Sequence, residues 1–173
     1  MPIAMRTLVV WMERFLTNWR RDCEMRRAVK AWDVERIKSL VSDGFDLNRA
    51  IRGTTLLQRA IASGDRPMID FLLARGATIP RSPWTIWSAI NHRNFDIVQL
   101  AIEQGLDVNA APRRCQSPLE LAMENHDIEA IRFLVEHGAD ERSLRHTWWH
   151  RVSPEVAHVL ASYGLPVNPV AFL

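Results

Sequence analysis

The stretch that decides the fold reads GTTLLQRAIASGDRPMIDFLLARGA and occupies residues 53–77. It contains two apolar patterns with helical spacing. The first places Leu57 three residues before Ala60, and the second runs through Leu72 to Gly76, a residue that readily adopts the left-handed conformation ending a helix. We therefore predict two short helices that are joined by a turn and closed by a glycine.

The same pattern recurs along the chain. A glycine in this role returns after 32, 29, 33 and 26 residues: Gly44, Gly76, Gly105, Gly138 and Gly164. Four residues before these glycines stand apolar residues: Leu40, Leu72, Ala101, Leu134 and Leu160. Sixteen residues before the first four stand alanines: Ala28, Ala60, Ala89 and Ala122. A single two-helix unit cannot bury its apolar face alone, so the units must stack.

This pattern resembles the ankyrin repeat. Besides residues 53–77, the sequence SPLELA at 117–122 matches the opening turn and first helix of the family. The sequences DLN at 46–48 and DVN at 107–109 match the segment after its glycine. The resemblance covers residues 22–168 and implies an all-α ankyrin-repeat solenoid of about five helix-turn-helix repeats.

The repeat register predicts an N-terminal capping helix at residues 1–21 and a C-terminal tail at residues 169–173. Between them it places five repeats, at about 22–48, 49–79, 80–109, 110–140 and 141–168. The capping helix carries an apolar stripe: Leu8, Met12, Phe15, Leu16 and Trp19. We expect this stripe to cover the first repeat; a helix that lies on a membrane or docks a partner is the alternative. Trp148 occupies the alanine register of the fifth repeat, which we interpret as a degenerate cap.

Several substitutions depart from the family pattern. Its usual histidine in the opening turn is replaced by other residues: Arg26, Gln58, Trp87 and Glu120. The usual loop hydrogen bonds therefore cannot form. Trp32 stands where the family prefers glycine, and its indole is either an exposed anchor for a partner or folded over Met25 or the N-terminal cap. We expect Trp84 and Trp87 to fill space between adjacent loops.

Arginines gather at the predicted loop tips, which repeat packing leaves free. The tip residues are Arg49, Arg52, Arg81, Arg113 and Arg114, followed by Arg142 and Arg145. The resemblance implies binding through these tips and through the concave ends of the first helices, which carry Lys30, Trp32, His92 and Asn125. Guanidinium groups suit carboxylates of an acidic protein surface, or phosphates. Loop tips are also charged for solubility alone, and that reading stays open.

Composition narrows the function classes. A net charge of +2 does not by itself indicate nucleic-acid or membrane binding. Cys23 and Cys115 are too far apart in sequence for a metal-type pair and suit a reducing, cytoplasmic compartment. Lys30 and Lys38 are the only lysines, a bias typical of GC-rich bacterial genomes.

Catalytic motifs are missing from the sequence. His146 and His150 are four residues apart, as metal ligands on a helix can be, but no H-E-x-x-H arrangement surrounds them. A nucleophile elbow and a phosphate-binding loop are both lacking. We therefore expect no enzyme activity, no cofactor, no metal and no small-molecule substrate.

The sequence thus predicts a non-enzymatic module that binds another protein with an acidic surface. Because no catalytic domain occurs in the sequence, we expect a stoichiometric inhibitor, such as a bacterial immunity protein that neutralises a toxin, or a secreted effector that binds a host protein. Nucleic acid is the alternative partner. It is disfavoured because aromatic residues are not interleaved with the tip arginines.

Overall fold

Helices make up the regular secondary structure of the described residues. The computed structural model describes residues 3–140, 144 and 152–165. The helices there are α1 (Ile3–Ala31), α2 (Val34–Ser42), α3 (Leu56–Ser63), α4 (Arg66–Ala74), α5 (Pro83–Asn91), α6 (Phe95–Glu103), α7 (Pro118–Glu124), α8 (Ile128–Glu136) and α9 (Pro154–Ser162). The all-α prediction is confirmed. Arg142, Arg145, His146, Trp148, His150 and the tail lie outside the described residues.

These helices belong to two compact units. The first unit contains Met1–Leu57 and Asp70–Thr78, and the second contains Gln58–Ile69 and Ile79–Leu173. In the first unit, α1 packs against α2. In the second unit, α5 packs against α6 and α7, α7 packs against α8, and α8 packs against α9. The first helix α5 thus meets its own partner and the first helix of the next repeat, and the second helix α8 meets the second helix of the next repeat.

The predicted capping helix and the first helix of the first repeat form one continuous helix, α1. The boundary that we expected between residues 21 and 22 lies inside it. Met25, Ala28 and Val29 are buried, whereas the stripe from Met12 to Trp19 is exposed. At 3.6 residues per turn, the stripe points about 140° away from the buried face. The stripe therefore does not cover the first repeat, because an unbroken helix turns it away; the side chain of Leu8 lies outside the described part.

The periodic apolar residues are buried as the sequence predicts. In the first unit, Leu40, Leu72 and Ala28 are all buried. In the second unit, the residues of both registers have no exposed surface or nearly none: Ala60, Ala89, Ala101, Ala122, Leu134 and Leu160. Burial of a leucine side chain stabilises a fold by about 1.5–3 kcal/mol. These residues hold the helix pairs together and take no part in binding.

The glycine at the end of α4 shows how each second helix stops. Gly76 has φ +86°, a left-handed conformation that costs glycine little. Its N–H donates to the carbonyl of Leu73 at 2.9 Å, and the N–H of Ala77 donates to the carbonyl of Leu72 at 3.0 Å. These bonds satisfy carbonyl groups that the helix end leaves without partners. The predicted role of the recurring glycine is confirmed here.

Asparagines of the two D-x-N segments connect successive loops. In the first unit, Asn48 Oδ1 accepts hydrogen bonds from the backbone N–H and the hydroxyl of Thr78, at 2.8 and 2.9 Å. In the second unit, Asn109 Nδ2 donates to the carbonyl of Gly138 at 3.1 Å, and Asn109 Oδ1 accepts from the N–H of Asp140 at 3.1 Å. Both asparagines reach about one repeat further along the chain. They fix the loops that carry the tips.

A buried glutamate stands where the family has histidine. Glu120 is 1% exposed, and its carboxylate accepts from the N–H of Ser117 at 2.9 Å. The hydroxyl of Ser117 in turn accepts from the N–H of Glu120 at 3.1 Å. This reciprocal capping box satisfies two backbone donors at the start of α7. It replaces at this turn the loop hydrogen bonds that the histidine would supply.

The turns between paired helices place one residue in the left-handed region. These residues are Trp32, Gly64, Arg93 and His126, with φ of 51°, 69°, 56° and 53°. For an L-residue other than glycine this conformation costs about 1–2 kcal/mol. At Arg93, ion pairs with Asp127 and Glu129 offset part of this conformational cost. His126 is exposed, and its side chain makes no hydrogen bond or ion pair with a described residue.

We predict that Leu72→Ala lowers the free energy of unfolding by about 2–5 kcal/mol, because it leaves a cavity at a residue with no exposed surface. Urea denaturation followed by circular dichroism measures the change. Leu100→Ala is the control, since Leu100 is an exposed leucine of α6. Equal losses for the two variants would contradict the assignment of Leu72 to the core.

We predict that His126→Gly raises the free energy of unfolding by about 0.5–1 kcal/mol. Relief of the left-handed strain outweighs the extra freedom of glycine in the unfolded chain. The neighbouring Asn125 has φ −78°, so Asn125→Gly adds that freedom without relieving strain and should destabilise. Thermal unfolding of both variants beside the parent measures the difference; a lower midpoint for His126→Gly would refute the strain at this turn.

Candidate functional site

The loop tip of the first unit is a two-residue turn that displays Arg52. Ile51 and Thr54 exchange backbone hydrogen bonds of 2.7 and 3.3 Å across the turn. Both central residues are left-handed, Arg52 with φ 57° and Gly53 with φ 89°, as in the tight turns of β-hairpins. Ile51 is buried and anchors the turn, while Arg52 is exposed and has no hydrogen bond or ion pair to any described residue. Its guanidinium group is therefore available to a partner.

Arg49, near the same tip, is already engaged. Its Nη1 and Nη2 lie 2.8 and 2.7 Å from the two carboxylate oxygens of Asp22 on α1. Only 16% of the Asp22 side chain is exposed, so solvent screens this bidentate pair less than a fully exposed pair. The predicted contact residue Arg49 thus joins its loop to α1 within the first unit.

Arg81 in the second unit also has an intramolecular partner. Its Nη2 donates to the backbone carbonyl of Gln104 at 2.7 Å, immediately after α6. Helix ends leave carbonyl groups without hydrogen bonds, and a basic side chain satisfies one of them here. Arg81 is exposed, but this contact gives it a structural role.

The next tip of the second unit displays two arginines. The N–H of Cys115 donates to the carbonyl of Pro112 at 3.0 Å, which closes a turn around Arg113 and Arg114. Arg114 has φ 64°, and both arginines are exposed without a hydrogen bond or ion pair to the rest of the described chain. Pro112 is buried and holds the turn against the unit. Two unpaired guanidinium groups therefore lie side by side in sequence at this tip.

The predicted contact residues at the ends of the first helices divide into two kinds. Lys30 and Asn125 are exposed. Trp32 is half-buried in its left-handed turn, a state between the two alternatives considered for it. His92 is exposed, but its Nε2 lies 3.1 Å from the carbonyl oxygen of Ala62, and a Cβ on Gly64 would come within 2.5 Å of its ring. The imidazole therefore packs closely over the turn that contains Gly64.

Arg93 is a charged centre that the sequence reasoning did not single out. Its guanidinium group forms an ion pair with Asp127 at 2.7 Å and a second with Glu129. The side chain of Asp127 also accepts from the N–H of Ala130 at the start of α8. The repeat spacing could have drawn attention to Arg93, because it occupies the same turn position as Gly64 one repeat earlier. Its partners lie in the next repeat and are not encoded in a local pattern.

The aromatic residues of α5 are partly exposed. Trp84 is 42% exposed, and its ring contacts that of Trp87 edge to face at 5.4 Å between centroids. The indole nitrogen of Trp87 is buried and has no hydrogen-bond partner in the described residues. The prediction that both indoles fill space between loops is wrong for Trp84, which is exposed, while Trp87 is half-buried.

Three or more histidine, cysteine or acidic side chains do not converge on a metal-binding geometry among the described residues. In this part of the chain, none of the helices is both long and apolar enough to cross a bilayer. Cys23 and Cys115 are half-buried and form no disulfide within the described residues.

Comparisons with known proteins agree with this helical repeat. The family model for ankyrin repeats in many copies matches residues 86–135, which contain most of α5, all of α6 and α7, and most of α8. The chain is 27% identical to a putative ankyrin repeat protein of Rickettsia felis over 74% of its length. It is also 27% identical to one of fowlpox virus over 67%, and 34% identical to one of Acanthamoeba polyphaga mimivirus over 60%.

The chain covers 33%, 28% and 11% of these three relatives, about a third of their length or less. The likeness thus concerns the repeats and not the relatives as whole proteins. Helix pairs, left-handed glycine stops and D-x-N loops recur here at the spacing that the sequence predicts. The family model and the relatives together identify the helical repeats of this chain as ankyrin repeats.

Proposed function

We propose that this chain binds another protein through the arginines at its loop tips. Ankyrin repeats are protein–protein interaction modules, and the family is generally non-enzymatic. One observation carries the proposal: Arg52 and Arg114 are left-handed at exposed tips, where glycine would cost less. A strained backbone at an exposed arginine supports a use for the side chain itself.

The chemistry of the tips favours a partner with an acidic surface. Arg52, Arg113 and Arg114 have no carboxylate partner among the described residues, whereas Arg49 and Arg93 do. An unpaired guanidinium group forms short, charge-assisted hydrogen bonds with carboxylates. Such contacts speed association at low salt and weaken as salt screens them. Exposed Lys30 and Asn125 are further contact candidates, while the turn contacts of His92 and the half-burial of Trp32 favour structural roles.

A stoichiometric inhibitor is the finer proposal. We propose that it acts in the cytoplasm, either as a bacterial immunity protein that neutralises a toxin or, in a secreted form, as an effector that binds a host protein. Bacterial relatives support a bacterial source, although viral relatives match equally well. Sequencing the neighbouring genes separates these roles, because an adjacent toxin gene would support immunity.

Nucleic acid remains the alternative ligand for the same arginines, since phosphates also accept hydrogen bonds from guanidinium groups. Its binding would fall steeply as salt rises. A mobility-shift titration at low salt, with single- and double-stranded probes, decides between the two. A shift that depends on Arg113 and Arg114 would replace the protein-binding proposal.

We predict that Arg52→Gly and Arg114→Gly each raise stability and weaken partner binding. Glycine relieves the left-handed strain, so the free energy of unfolding should rise by about 0.5–1 kcal/mol. Loss of the guanidinium group removes the proposed contact. The partner is first recovered by affinity purification from the native host and identified by mass spectrometry; calorimetry then measures both quantities. Unchanged affinity in both variants would favour arginines that serve only solubility.

We also predict that Arg52→Glu combined with Arg113→Glu abolishes capture of this partner and leaves the thermal midpoint nearly unchanged, because exposed tips contribute little to folding. The single variants report on each unit separately. Arg20→Glu, which reverses one charge on α1 as each single variant does at a tip, is the matched control for the single variants and should retain capture. If the double variant recovers the partner at normal yield, the tips are not the binding site.

A further inference from the structure

The apolar face of α1 is exposed and belongs neither to the buried core nor to the proposed binding tips. Met12, Leu16 and Trp19 are 53%, 49% and 57% exposed, and Phe15 is 56% exposed. These four side chains lie within about 100° of arc on two turns of the helix. A cluster of large apolar side chains that water covers indicates a surface for some other molecule.

The same face of α1 becomes basic towards its C-terminus. Arg26, Arg27 and Lys30 follow the stripe at helical spacing, within about 70° of its centre. All three side chains are exposed, and they have no hydrogen bond or ion pair in the described part of the chain. One side of the helix therefore presents apolar groups first and then three positive charges.

The acidic residues of α1 do not oppose this charge. Asp22 is paired with Arg49 at 2.7 Å, and Glu24 is paired with Arg36 at 2.6 Å. Glu13 lies about 100° around the axis from Met12 and so falls beside the face and not on it. The face consequently carries a net positive charge without a competing carboxylate.

From these observations we propose that α1 docks on a bilayer that contains anionic lipids. A helix with tryptophan, leucine and methionine on one side lies in the interface with those side chains at the boundary between headgroups and acyl chains. Lysine and arginine at the same surface attract anionic headgroups. Within the described chain, no helix can cross a membrane, so the contact is peripheral. The sequence alone disfavoured this reading, because it could not show that Glu13 lies off the face or that Asp22 and Glu24 are neutralised.

A second copy of the chain fits this face less well. Pairing α1 with its copy would offer no carboxylate on the face to Arg26, Arg27 or Lys30, whichever way the helices run. Two turns of one helix also provide far less than the roughly 800 Å² per partner of a stable interface. A flat anionic membrane surface can contact the apolar side chains and the three positive charges of this face at the same time.

The test measures co-sedimentation of the full chain with vesicles of phosphatidylcholine alone and with vesicles of phosphatidylcholine and phosphatidylserine at about 7:3. We expect binding to the anionic vesicles only, and its loss at high salt. Arg26→Gln with Arg27→Gln should lower the partition coefficient about 25-fold, at about fivefold for each charge. Leu16→Ala with Trp19→Ala should lower it more than tenfold.

Two matched controls accompany these variants. Arg113→Gln with Arg114→Gln removes two unpaired charges from a tip, and Trp84→Ala with Leu100→Ala removes two exposed apolar side chains from the second unit. Both should partition like the parent, and circular dichroism confirms that each variant folds. Equal losses in the controls, equal binding to both vesicle types, or no binding would overturn the proposal.

Sedimentation equilibrium completes the test by measuring whether the chain forms a dimer. A dimer that depends on Trp19, together with no vesicle binding, would assign the face to a second copy of the chain. This test is independent of partner capture by the loop tips. Its failure would leave the proposed protein-binding function intact, and the reverse also holds.

Discussion

Close packing at an alanine position is the constraint on which the second unit depends. Ala60, Ala89 and Ala122 have no exposed surface, and each lies on the first helix of its pair. A methyl group lets two helix backbones approach, so that the larger residues on either side interlock. Once these inward faces are fixed, each repeat keeps only its loops and helix ends for contact with other molecules.

Much of this arrangement could be predicted from the sequence, because the buried apolar residues recur at a regular spacing. Leu72 and Gly76 could be placed from spacing alone, since one must face a core and the other must end a helix. The D-x-N segments were visible as well, although their partners one repeat away were not. A single sequence therefore identifies the residues that have the same structural role in every repeat.

Features that arise once in the chain were harder to predict. The continuous helix α1 could not be foreseen, because an apolar stripe does not reveal which way it points when a second helical segment follows without a break. Arg49 and Arg81 also looked like free tip residues, yet each has a partner more than twenty residues away in sequence. Long-range pairs such as these depend on the fold, and composition at a loop cannot distinguish a paired arginine from an unpaired one.

The ion pair between Arg49 and Asp22 has a geometric consequence. It fastens the loop that carries Arg52 to the C-terminal half of α1, at the residue directly after the arginine pair Arg20 and Arg21. Within the first unit, the direction in which Arg52 points is thus set by the orientation of that helix. A molecule that binds α1 and fixes its orientation therefore also fixes the direction of the Arg52 guanidinium group.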